Sequence, residues 1–298
     1  MTSPHSPAAL VGRLVRFHAS GHRLGLASDA ADALVRALKE GVPAERALRS
    51  AGLDPRLALP CEQAGVTDVV AALDGLLLVV ARTVDHERRL RAAGDYALVL
   101  CGVVAFSAAL VFGVFGPAMD LLPLGGGPTE RLPLLAPLAV ALVLLALVAL
   151  VVHARLPLPG LGQGWRRLDG FAFLSSLRVL VAAGADLPAA IRAAAQDRDR
   201  TLTARALDLA RALEAGQTPG DLHPLLTPFE ASMFLGAARS GVVGPTLEAL
   251  VASRGVALDV EIPAQAARIH GTTLVVAAVA LLVLGATFFS VYASAVVG

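Results

Sequence analysis

Seven histidines, His5, His18, His22, His86, His153, His223 and His270, are the first candidates for metal or proton chemistry. Only His18 and His22 stand four apart, the spacing that puts two imidazoles on one helix face. No carboxylate lies close by and Gly21 interrupts the helix between them, so they read as exposed or interfacial side chains and not as a metal site. Phosphate chemistry would need G-x-x-x-x-G-K-(S/T). The only lysine, Lys39, is followed by Glu40 and lacks the required glycines, which excludes a nucleotide-hydrolysing motor. Cys61 and Cys101 are too few for a zinc site, and Cys101 falls in an apolar run; both read as packing residues. Glu62 and Asp68 could form an acidic pair beside Gly65, although carboxylates near helix starts are ordinary dipole partners. The run Gln196-Asp197-Arg198-Asp199-Arg200 reads as a solvated loop, with partner docking as the alternative. No catalytic residue, cofactor or metal is expected.

The elements that carry these residues are set by an apolar composition. With 56% hydrophobic and 16% charged residues and a mean hydropathy of +0.68, the chain is too apolar for a soluble globule. Residues 96–116, 132–152 and 271–298 contain no Asp, Glu, Lys, Arg or His, and each is long enough for the roughly 20 residues a bilayer crossing needs. Between the first two lies a short connector, 117–131, rich in Pro and Gly. The 19 N-terminal residues contain charged side chains and no apolar core of the signal-peptide kind, so this end is expected to stay where it is made.

Basic residues flank the spans unevenly. Arg88, Arg89 and Arg91 precede the first, Arg155, Arg166 and Arg167 follow the second, and Arg268 precedes the third, whereas the connector holds only Arg131. That asymmetry predicts a cytoplasmic N-terminus and a periplasmic C-terminus. A charge inside a span would mark an ion or proton path, and none occurs. Ala105, Ala109 and Gly113 recur every four residues, which would suit a close helix neighbour or ordinary packing equally.

Residues 1–95 and 153–270 read as all-α cytoplasmic bundles, and they read as two copies of one unit. Leu14, Phe17, Gly21 and Leu24 align with Leu177, Leu180, Gly184 and Leu187; Arg36 to Gly41 aligns with Arg211 to Gly216; Gly65-Val66 aligns with Gly241-Val242. The first copy is shorter by 12 positions between its first two glycine landmarks. In the second copy, Thr227-Pro228-Phe229-Glu230 supplies an N-cap, a first-position proline and a capping-box glutamate, so a helix is expected to start there and end near Gly241. Gly184 is expected to end another, and Thr67 or Asp68 to start the helix that runs to the membrane.

The order of helical domain, two spans, second domain and one span resembles the GspF/PilC family, the inner-membrane platform proteins of type II secretion and type IV pilus machines. Phe173 to Ile191 is similar to that family's pattern F-x-x-x-L-x-x-L-L-x-x-G-x-x-L-x-x-A-L, and Cys61-Glu62-Gln63-Ala64-Gly65 to its G-E-x-(S/A)-G turn. The second copy keeps only Ser240-Gly241 of that turn, so any role of its glutamate falls to Glu62. The resemblance implies a shortened or divergent platform: an all-α polytopic protein of the bacterial inner membrane with three transmembrane helices and two related cytoplasmic bundles. Such a protein would be a non-enzymatic scaffold and homo-oligomer, coupling a cytoplasmic assembly ATPase to pilin or pseudopilin subunits beside other inner-membrane components, with the lipid bilayer but no nucleic acid as partner. Glu62, Gly65, Gly184, Leu187, Gly216, Ser240 and Gly241 are its motif positions, structural or in partner contact. The rival is a small transporter or permease subunit whose Ser107, Thr287, Ser290 and Tyr292 line a path.

Overall fold

A computed structural model describes residues 36–37, 40, 42, 68–111, 113, 132–153, 163–196, 198–217, 219, 222 and 225–297. Among the described residues there are seven α-helices and no strand. They are α1 (Val69–Leu110), α2 (Leu132–His153), α3 (Gln163–Ala182), α4 (Leu187–Ala194), α5 (Arg200–Glu214), α6 (Pro228–Ser240) and α7 (Val243–Val297). Glu62, Gly65, His18, His22 and most of the first repeat lie outside the described residues.

Local chemistry sets the helix ends. Asp68 accepts the Ala71 N–H through Oδ1 at 3.0 Å, which caps α1 where the sequence places its start. At α6 the capping box is complete: Thr227 Oγ1 accepts the Glu230 N–H, and the Glu230 carboxylate accepts the Thr227 N–H at 2.8 Å. Gly184, Gly216 and Gly241 have φ of 84°, 65° and 74°, left-handed conformations that a side chain would strain. Around each glycine an N–H reaches back five residues: Ala185 to Leu180 O, Gln217 to Ala212 O, and Val242 to Ala237 O. Val42 N–H donates to Ala37 O at 3.0 Å and Glu40 N–H to Arg36 O at 2.9 Å, so this landmark of the first copy repeats the Arg211 and Ala212 bonds of the second.

The chain divides into two compact units, each built from separated segments. The first comprises Met1–Val84 with Arg166–Leu258, and the second Asp85–Trp165 with Asp259–Gly298. In the first, Leu73, Leu76 and Leu77 of α1 share one core with Phe173, Leu177 and Leu180 of α3, Ile191 of α4, Leu209 of α5, Phe234 of α6 and Leu247 of α7, while Ala37 and Val42 pack against it. Where the sequence suggests two separate bundles, residues from both segments, 1–95 and 153–270, contribute to one core cluster.

Gly75 lets α1 come close to α3: a Cβ there would stand 2.7 Å and 2.8 Å from the two methyls of Val179. Gly75→Val should cost roughly 1–3 kcal/mol by overpacking, read from the denaturation midpoint in detergent. Pairing it with Val179→Ala should recover most of the loss, and a single variant as stable as the parent would refute the close approach. Arg82 completes this side of the core, with Cζ 5.2 Å from the Phe171 ring centroid and its guanidinium lying over Gly255.

In the second unit, the α1 positions Leu90, Ala93, Ala97, Val104 and Ala108 are buried, and so are Ala141, Leu145, Ala149 and Val152 of α2 and Ile262, Ile269, Ala277, Ala280 and Leu284 of α7. Steps of three and four residues make these the seams of a helix bundle. Four of the seven residues in the core cluster of Val104, Ala108, Ala141, Leu145, Ala277, Ala280 and Leu284 are alanines. The outward side is just as apolar: Val99, Phe106, Val143, Val275 and Leu282 are all exposed. The first unit exposes charged side chains at Arg200, Asp208, Arg211 and Glu248 beside apolar ones at Phe229, Val242 and Val256. Among the described residues two helices, over Ala71–Leu110 and Val243–Ala286, are long and apolar enough to cross a membrane, whereas the sequence suggests three spans; the apolar stretch Ala139–Leu150 within α2 is shorter. Pro263 removes one backbone hydrogen bond from α7, eight residues before the uncharged stretch 271–298.

Candidate functional site

The motif positions that the structure describes work within their own turns. Gly184 closes α3 and Leu187 opens α4 three residues later, half-buried against the core of the first unit. Gly216 closes α5. Ser240 ends α6, with its hydroxyl donating to Ala237 O at 3.1 Å, and Gly241 is the left-handed cap. Each position has a folding role that its residue type explains.

A denser constellation gathers around Glu230. Arg254 of α7 donates from Nε to Glu230 Oε1 at 2.7 Å and from Nη2 to Oε2 at 2.5 Å, and Nη2 also donates to Leu225 O at 3.0 Å. Both side chains are largely buried, at 18% and 14% relative exposure. The Thr227 hydroxyl donates to Oε2 at 2.9 Å. A Cβ on Gly170 would meet Arg254 Nη1 at 2.7 Å, so the guanidinium lies directly on α3. One ion pair therefore ties α3, the turn before α6, α6 and α7 in the first unit. Burial alone would raise the Glu230 carboxyl, but the Arg254 hydrogen bonds and charge, with the Thr227 donors, outweigh it and lower the pKa from 4.5 to about 2.

Sequence reading gives Glu230 its capping role and misses Arg254, because a separation of 24 residues leaves no periodic signal. The useful sign was an arginine amid apolar positions of α7, with Leu247, Leu250 and Leu258 buried around it in sequence.

Three polar contacts mark the second unit. His86 Nε2 lies 3.4 Å from Asp259 Oδ1, His153 Nε2 lies 3.1 Å from Asp95 Oδ1, and the Tyr96 and His270 rings meet edge to face at 4.9 Å between centroids. Among the described residues no group of three or more His, Cys, Asp or Glu converges as metal ligands would. The rival's Ser107 is half-buried. Comparison of the chain with family models, curated proteins and solved structures gives no match.

Proposed function

We propose that the chain is a multi-pass inner-membrane platform, crossing the bilayer three times with its N-terminus in the cytoplasm, and that it couples an assembly ATPase to pilin or pseudopilin subunits. The observation that carries this reading is the sharing of α1 and α7 between the two units: Leu73 and Val104 lie on one helix in different cores, as do Leu250 and Ala280 on the other. A scaffold that passes a push from a cytoplasmic motor to membrane helices is served by continuous helix, whose backbone bonds all stay internal, better than by loops. The exposed apolar side chains of the second unit favour lipid as its surroundings, and the sequence resemblance supplies the machine.

The full-length protein is the right bait for testing this, because residues 154–270 alone would lack the α1 side chains that complete the first unit's core. Co-expressed with the cell's secretion and pilus-assembly ATPases and purified in detergent, it should retain one of them and raise its ATP turnover. A periplasm-only reporter at Gly126 should be active and one at Gln196 silent. No ATPase retained and no stimulation would remove the platform reading; a reversed reporter pattern would remove the orientation.

A further inference from the structure

Two consecutive residues of α1 hold an imidazole from each of the other helices in the second unit, Asp95 with His153 and Tyr96 with His270. His153 is the last residue of α2, and His270 immediately precedes the apolar end of α7. All three helices therefore change from polar to apolar at one level, marked by Tyr96, a residue type enriched at membrane–water boundaries.

Beneath this level the charges are unequally engaged. Asp95 meets His153, Glu87 meets Arg91 at 3.2 Å, Asp259 meets His86, and Glu261 also has a partner, while Asp85, one turn before Arg88 and Arg89, is exposed with no ion pair among the described residues. Arg88, Arg89 and Arg268 are exposed and have no ion pair among the described residues. At 1.5 Å per helical residue, Arg268 sits about 3 Å below His270, and Arg89 and Arg88 sit about 9–11 Å below Asp95. The headgroup layer is roughly 5–8 Å deep on each side of the hydrocarbon, so long arginine side chains reach it.

We infer that Arg88, Arg89 and Arg268 form a binding surface for anionic phospholipid, donating to headgroup phosphate oxygens and fixing how deep the three-helix bundle sits in its leaflet. The inference rests on the bilayer-spanning part of the proposed function. Guanidinium forks suit phosphate oxygens, and an anionic leaflet attracts each basic residue near its surface by about fivefold in affinity.

The test uses the full chain in mixed micelles containing equal phosphatidylglycerol and phosphatidylcholine, with retained lipid counted by native mass spectrometry. The expected result is several-fold preferential retention of phosphatidylglycerol, lost in the triple variant Arg88→Gln/Arg89→Gln/Arg268→Gln and kept in the control Arg200→Gln, an exposed arginine of α5. Equal retention by the parent, preference that survives in the triple variant, or competition by inorganic phosphate would each overturn it. Insertion into phosphatidylcholine vesicles is measured separately: a chain that inserts without phosphatidylglycerol preference sinks only this inference, whereas one that does not insert sinks the spanning reading.

Discussion

Arg254→Ala is expected to cost roughly 3–5 kcal/mol of stability, because it leaves the Glu230 carboxylate buried without its cation. Leu225 O and the close contact at Gly170 are lost with it. Denaturation of the detergent-solubilised chain, followed by helix content, would measure the loss, and a change under about 1 kcal/mol would show that the pair is not holding the helices. Replacing both partners with apolar residues, Glu230→Leu with Arg254→Met, should restore much of the stability, since the desolvation cost disappears with the charges.

The acid profile supplies an independent sign. With a folded pKa of about 2 against an ordinary 4.5, Glu230 binds a proton less readily folded than unfolded. Its contribution, about 3 kcal/mol at most, is complete above pH 4.5 and drains away as pH falls through 2. Arg254→Ala removes the main lowering influence and leaves only the Thr227 donors, so this acid-labile share should shrink and the variant's stability curve should flatten over the same range. An unchanged acid slope in the variant would assign the sensitivity to other carboxylates.

Phe234→Ala should be comparably severe, at roughly 3–5 kcal/mol. The buried residues of α6 are Phe234 and Ala237, and Phe234 has no exposed surface, so one ring supplies most of what binds this helix to the core. Hydrogen exchange across 228–240 should rise in the variant before the rest of the first unit responds. Since Arg254 and Phe234 secure the same helix, the double variant should cost less than the two single losses added together, the mark of coupled sites. Simple additivity would mean that the two attachments act independently.

What was legible in the sequence was local. Thr227, Pro228, Glu230 and Gly241 announce α6 within 15 residues of chain, and Asp68 announces α1, because caps depend on neighbours a few positions away. His153 and His270 stand beside the uncharged stretches in the sequence, but their partners Asp95 and Tyr96 were not legible, since pairing across helices needs their rotation about one another. Gly75 gave no sign of Val179 for the same reason. The linear boundaries at 95 and 270 follow the disappearance of ionisable side chains, whereas the compact units change over at Val84 and Leu258. Leu90, Ala93, Ile262 and Ile269 explain the offset: their seam continues past the apolar stretches, and composition reports solvent but not seam. The glutamate turn at Glu62 and Gly65 lies outside the described residues.

The interleaved make-up of the first unit also bears on how the chain is made. Leu73, Leu76 and Leu77 reach the ribosome exit long before Phe234, Leu247 and Leu250, the residues that share their core. At about 5–20 residues per second, synthesis of the intervening stretch takes on the order of 10–35 s. Throughout that interval the leucine face of the leading helix waits without the side chains that cover it in the folded chain. Slowing elongation between Gln163 and Leu250 is therefore expected to lengthen the exposure of that face to aggregation and proteolysis.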